Sequence, residues 1–302
     1  MEERINELIS KMSIEEKVAQ LCSVGGEHLL DYERFAEEKA EVLLKNGMGE
    51  ISYILRHLDP DKGVEIGNEV QKFALEKTES KIPIIIHDEC LHGCMAKKST
   101  SFPQSIALAS SWDPDMVYEV AKIIGKETRA RGIHQALSPT INIARDVRHG
   151  RVEETYGEDP YLTSRMAVAF IKGLQSEKVI ATPKHYAADF AGDGGRDSSA
   201  TYFSERTLRE IFFPAFKASI EEAKAWSIMA AYNSISGVPS SSNKWLLTDV
   251  LRGEWGFEGF VVSDYGSVWG LYGAHRVAET LAEAGKLALE AGLDVELPHA
   301  VC

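Results

Sequence analysis

WGFEGFVVSDYGSV, residues 255–268, contains the run on which the architecture turns. Phe260, Val261 and Val262 are apolar and β-favouring, with Gly259 before them and Gly266 after. A short continuous apolar run between glycines is the pattern of a strand buried on both faces of a parallel sheet. Asp264 then stands where the strand runs out into a loop. In α/β barrels that position is the rim on which reactive groups gather, because the C-terminal strand ends all face one pocket. The plainer reading of a lone Asp after a strand is the N-cap of the following helix. Company favours the rim: several other strands in this chain also end in ionisable residues.

Outward from this run, helical and strand signals alternate along the whole chain. Residues 13–16, SIEE, form a capping box that opens a helix through Gln20. Candidate strands follow at 21–24, 50–55, 83–87, 135–139, 179–182, 227–231, 260–263 and 293–297. Between them the spacing predicts helices over 31–46, from Asp59-Pro60 onward, from Asp113-Pro114 to Arg131, over 160–176, from Ser204 to Ala223, from Asn243 onward, and over 274–291. Eight strands separated by helices indicate an α/β fold, a (β/α)8 TIM-like barrel, over a single domain of residues 1–302. The chain ends five residues after the eighth strand, so the final covering helix is expected to be missing.

Bulk properties agree with one large domain. The 302 residues exceed the ~250 that such a barrel commonly needs. With 33 basic and 46 acidic residues the net charge is −13, which disfavours nucleic acid and anionic membranes as partners. Four cysteines (Cys22, Cys90, Cys94, Cys302) lack C-x-x-C spacing, so neither a disulfide framework nor a zinc site is indicated. His87, His92 and His185 show no H-x-H or H-E-x-x-H spacing, and no metal or cofactor is expected. The N-terminus, MEERINELISKM, is charged and amphipathic without the apolar centre of a signal peptide, so a cytoplasmic location is expected.

FEGFVVSDYG resembles the nucleophile segment of glycoside hydrolase family 3, the retaining β-glucosidases, β-xylosidases and β-N-acetylglucosaminidases. The resemblance continues through HDECLHG (87–93), ARDVRHGRVEETYGEDPYL (144–162), ATPKHY (181–186), MAAYN (229–233) and KWLLTDVLRGEWGFEGFVVSD (244–264), in the family's order. It implies an N-terminal barrel domain without the second, α/β-sandwich domain that often follows. It implies hydrolysis of terminal non-reducing β-D-glucosyl or β-D-xylosyl residues with retention, the substrate being a β-linked oligosaccharide or an aryl glycoside, and Asp264 attacking the anomeric carbon.

The remaining site residues are carried by the same resemblance. Glu89 aligns with a sugar-gripping carboxylate in a (D/E)-x-x-H-G frame, where charge-assisted bonds to hydroxyls are about twice as strong as neutral ones. Arg151 aligns with a sugar-contacting Arg at the end of the loop after strand four; a planar guanidinium suits two-pronged recognition. Within that loop Val147 and His149 replace the family's Pro and Trp, and Arg145, Asp146, Glu153, Glu154 and Asp159 are expected to hold it by ion pairs. Lys184 and His185 are sugar ligands in the resemblance, although neighbours on an extended strand point opposite ways and need a twist to share a pocket. Tyr232 is expected to hydrogen-bond the Asp264 carboxylate, and Tyr265 to offer a face to the sugar.

Two alternatives stay open on the residues alone. Lys184 at a barrel strand end is also the place of a Schiff-base lysine, which makes an aldolase the rival chemistry. Retention further requires a second carboxyl, an acid/base about 5–5.5 Å from the first. The family takes it from the second domain or from a His-bearing loop after strand five; this chain has KHYAADFAGDGG there, with no second His. Asp189, Asp193, Asp197 and Glu205 are the nearby acids that could substitute. Without one, the chain is an impaired sugar-binding barrel, a self-associating one, or half of an assembly whose partner supplies the acid.

Overall fold

The protein is described by a computed structural model over residues 2–298. Seven short parallel strands line the barrel: β1 (Ser23–Gly25), β2 (Glu50–Ser52), β3 (Ile85–Asp88), β4 (Gln135–Ala136), β5 (Ile180–Ala181), β6 (Ser227–Met229) and β7 (Phe260–Val262). β1 to β5 pair in chain order. Beyond β5, the Tyr186 N–H donates to Met229 O (2.7 Å) and the Tyr186 carbonyl accepts from Ala231 N–H (2.8 Å), joining the loop after β5 to β6. β6 pairs with β7 in parallel, and Val262 bridges to Val295. The Glu296 N–H donates to Leu21 O at 2.9 Å and closes the ring.

Alternation along the strands sorts the core into two. Ile51, Ile86, Ala136, Ala181, Ile228 and Val261 face outward into one large cluster shared with the helices. Leu137, Met229, Val262, Val295 and Leu297 form a separate, smaller cluster in the lumen. The rest of the lumen is polar: Glu50, His87, Gln135, Thr182 and Ser227 are all fully buried. Buried polar groups on this scale have to satisfy one another, and here the Gln135 amide, with its nitrogen toward Glu50 (3.0 and 3.2 Å), accepts from Thr182 Oγ1 at 3.0 Å.

The expected helices from Asp59-Pro60, from Asp113-Pro114 and over 160–176 are present as Pro60–Glu76, Pro114–Ala130 and Pro160–Ser176. The capping box is present too, Ser13 Oγ accepting from Glu16 N–H and Glu16 from Ser13 N–H. Other elements differ from expectation. Residues 31–46 are not one helix: Leu30–Asp31 pairs with Arg34–Phe35 as a hairpin, and only Glu37–Leu43 is helical. Lys39 ties down the first hairpin strand through Asp31 (2.6 Å), and Phe35 packs edge-on to Phe73 at 5.7 Å. The helix expected from Ser204 to Ala223 widens to a π-turn at Leu208–Phe212 and restarts at Pro214, whose ring cannot donate to the preceding turn. Residues 274–291 begin their helix only at Leu281, where Thr280 caps Glu283 N–H at 3.1 Å. The eighth strand is a single bridge. Residues 299–302, Cys302 among them, lie outside the described residues.

Candidate active site

Five strand ends contribute to one cluster. Asp264 follows β7 and is buried; its Oδ1 accepts the Tyr265 backbone N–H at 2.7 Å, while Oδ2 has no hydrogen-bond partner among the described residues. It is not a helix cap, since the next helix, Ser267–Gly273, starts after Gly266 without a side-chain cap. Burial pushes the carboxyl up to about 6, held back by Lys184, the Tyr265 N–H, Tyr232 and Arg151. A carboxylate with one free oxygen, kept ionised near neutrality by cations rather than by bonds to that oxygen, is chemically a nucleophile or a cation trap.

Lys184 and His185 both face this point, across a cis peptide. The Lys184 ammonium is gripped by both oxygens of Glu89, at 2.9 and 2.7 Å. An ammonium so neutralised is the opposite of the free amine a Schiff base needs, and this geometry speaks against the aldolase alternative. His185 Nε2 lies 3.5 Å from Asp264 Oδ2. Asn142 sets the ring: its Oδ1 accepts from the His185 backbone N–H (2.7 Å) and from Nδ1 (2.9 Å), and its Nδ2 donates to the His185 carbonyl (2.9 Å). The proton therefore sits on Nδ1 and the Nε2 lone pair faces the pocket. Burial, with Arg151 and Lys184 nearby, drives this imidazole well below its usual range, so it is neutral.

Arg151 reaches the cluster from the loop after β4. Glu154 holds it with two bonds, 2.9 and 2.8 Å, and one Nη2 approaches His185 Nε2 at 3.4 Å. Burial works against its charge, but Glu154 and Asp264 more than offset that and hold the guanidinium above its ordinary value. His149, in the family's Trp position, is buried and stacked on Phe190 at 3.9 Å, which supplies the packing that the replaced Trp put in doubt. Asp146 pairs with Arg148 (2.6 Å), and Asp159 caps the helix Pro160–Ser176. Arg145 lies over the Phe203 ring instead of in an ion pair.

Tyr232 meets the Asp264 carboxylate as expected, and its hydrogen bond favours the ionised form. Its hydroxyl donates to the Tyr265 carbonyl at 2.9 Å, beside the Asp264 carboxylate. Tyr265 is half-buried, its hydroxyl 2.9 Å from His87 Nε2 and its ring 5.3 Å from Tyr53. Asp88, the neighbour of Glu89, turns away to Arg56 (2.6 Å), which stacks on Tyr53 at 3.7 Å. A cavity of about 570 Å³ is lined by Arg56, His57, Leu91, His92 and Met95 and touches the cluster at Glu89. Among the described residues no group of His, Cys, Asp and Glu is arranged to hold a metal ion. His92 spends Nδ1 on the Phe102 carbonyl, 3.1 Å.

Asn142, Glu50 and Tyr53 support the cluster without belonging to any of its motifs. Asn142 had a signal, a polar residue between Ile141 and Ile143 in a run headed for the core. Tyr53 had none, because its position depends on a backbone at φ +56°.

Residues 13–302 match the sequence model of the glycosyl hydrolase family 3 N-terminal domain. The chain belongs to glycosyl hydrolase family 3. A family relative in Formosa agariphila, described as a putative β-xylosidase, is 37% identical over 309 residues, covering 98% of this chain and 41% of its own. Among solved structures, a β-glucosidase from Erythrobacter marinus superposes with a TM-score of 0.92 at 35% identity, covering 97% of this chain and 40% of that one. A Listeria innocua β-glucosidase solved with glucose gives 0.89 at 31% identity, over 100% and 42%. The chain thus spans about two-fifths of the length of these family 3 proteins.

Proposed function

We propose that this family 3 barrel acts in the hydrolysis of terminal non-reducing β-D-glucosyl or β-D-xylosyl residues by a two-step retaining route. The single observation that carries the reading is the buried Asp264 carboxylate with its unpartnered Oδ2 facing the cluster. In the first step Oδ2 attacks the anomeric carbon, the C–O bond to the aglycone breaks with its electron pair going to the departing oxygen, and an ester to the enzyme forms. In the second step water displaces the carboxylate with net retention. Glu89, Arg151, Lys184 and His185 hold sugar hydroxyls. The glucose bound to the Listeria enzyme and the names of the other relatives support this substrate class.

The acid/base is proposed to come from outside the described residues. Within them Glu89 is occupied by Lys184, and Asp189 is sealed from solvent and, through burial and the charges of Asp197 and Asp264, lies well above the usual carboxylate range. Asp197 is half-exposed, with its Oδ1 3.9 Å from His149 Nε2.

The test is a 2-deoxy-2-fluoro glycoside with a good leaving group, which is expected to label Asp264. Label on Glu89, or inverted product seen by proton NMR, overturns the assignment. Leaving-group dependence tests the acid: general acid catalysis contributes ~10²–10⁴-fold, so nitrophenyl glycosides are expected to outlast cellobiose or xylobiose as substrates of this chain. A flat dependence from nitrophenol to alkyl glycosides means a working acid is already present.

A further inference from the structure

A hydrogen-bonded line through the lumen ends at the pocket, and the chemistry above makes no use of it. Glu50 on β2 and His87 on β3 are both fully buried, with His87 Nδ1 and Glu50 Oε2 2.6 Å apart. The Gln135 amide nitrogen faces both Glu50 oxygens, at 3.0 and 3.2 Å. On its other side His87 Nε2 lies 2.9 Å from the Tyr265 hydroxyl, one residue past Asp264.

We propose that the Glu50–His87 pair donates a hydrogen bond from His87 Nε2 to the Tyr265 oxygen, so that Tyr265 is held in place with its own proton turned away from His87, to be given to a hydroxyl of the bound sugar in exchange for Tyr53. Glu50 and His87 are then positioning residues, and Tyr265 is a specificity-determining donor. This rests on the reading of the pocket as a glycone site.

A carboxylate next to a neutral imidazole, with no exposure, is an uncompensated buried charge, which is costly. Adding one proton makes the pair neutral. Whether that proton sits on Glu50 or on Nδ1, the other ring nitrogen, Nε2, also carries a hydrogen. The donors gathered on Glu50 and the short 2.6 Å contact fit the charge-separated form. Nε2–H facing Tyr265 leaves the phenol oxygen as acceptor there, and its O–H must turn elsewhere. Burial, with Tyr53, Glu89 and Asp88 close by, keeps the Tyr265 phenol well above its ordinary range, so it offers a proton without giving it up. Tyr53 is the acceptor that the sugar has to displace: the two tyrosines share a side-chain hydrogen bond, with their rings 5.3 Å apart.

Two measurements decide it. In the chain labelled with nitrogen-15 histidine, signals lost in His87→Gln identify His87, and its Nε2 is expected to show a bound proton. A bare Nε2 overturns the proposal. Glucose or xylose binding, followed by NMR titration, is expected to weaken about 5- to 20-fold in Tyr265→Phe and equally in His87→Leu, with no further loss in the double variant. His87→Gln, which keeps an N–H donor, restores most of the affinity, and Tyr53→Phe leaves it intact. Additive losses, or a His87→Leu chain that folds and binds as wild type, overturn the proposal. If His87→Leu does not fold, the nitrogen signal and the Gln variant decide alone. A wild-type chain that neither binds these sugars nor cleaves aryl glycosides sinks the proposed function itself, a different failure from normal binding that ignores His87.

Discussion

Asp264 has to be ionised to attack and has to be buried to meet the sugar, and the two requirements oppose each other. Its carboxyl is raised to about 6, chiefly by burial. With a folded value above the unfolded 3.8, the stability contributed by the protonated form is full below about 4 and is lost as pH rises through about 6. At neutral pH the charge therefore costs the fold, by roughly 3 kcal/mol for a shift of about two units. Asp264→Asn is expected to abolish turnover and also raise the melting temperature by several degrees at pH 7, with the gap closing toward pH 4. Thermal scans across that range check it, and a constant gap refutes the linkage. The same residue sets the acid limb of activity: kcat/KM is expected to fall as pH drops through about 6. Arg151 gives a second test at this scale. Truncation to Ala leaves the half-buried Glu154 without its two bonds and the sugar without a donor, at an expected ~2–4 kcal/mol of transition-state stabilisation. Wild-type kcat/KM in Arg151→Ala means the loop after β4 does not serve the sugar.

At the scale of elements, the strands legible in the sequence were those that face two apolar layers. Phe260–Val262 announced itself because both its neighbours, the lumen cluster and the helix layer, are apolar. β2 and β3 were legible as strands, but their inward residues Glu50 and His87 were not legible as a pair, since proximity across 37 positions depends on register alone. Helix ends followed local chemistry, so the Asp-Pro starts were readable, whereas the hairpin at Leu30–Phe35 was decided by a distant ring, Phe73. Of the pocket, the residues carried by motif were found and their supports, such as Asn142, were missed, because a support is defined by what it touches. Gly259 is the element-scale prediction. A Cβ there would lie 2.2 Å from the Trp226 carbonyl oxygen, where β6 and β7 begin their pairing. Gly259→Ala is expected to cost about 1–3 kcal/mol in denaturant unfolding and to lower activity by tilting the strand that carries Asp264.

For the whole molecule, the ring is unevenly closed. β1 to β5 share continuous ladders; residues 294–297 are held to β7 by Val295 N–H donating to Val261 O (3.0 Å), Ser263 N–H to Val295 O (2.9 Å) and Leu297 N–H to Ser263 Oγ (2.9 Å), and on their other side by the Glu296–Leu21 bond. Local opening free energy follows the density of such contacts. Hydrogen exchange is expected to be faster at Val295–Leu297 than at Ile85–Asp88, and equal protection would show that the seam is as firm as the ladders. The divided lumen has a consequence for how this barrel diverges. On the Met229–Val262–Leu297 side, one hydrocarbon can replace another of similar volume at little cost, so changes there accumulate one at a time. On the Glu50–His87–Gln135–Thr182 side each change strands a partner in the dark, and a viable sequence is reached only by altering several positions together. A saturation library over the lumen should thus return many tolerated singles from one half and, from the other, survivors that travel only in linked sets.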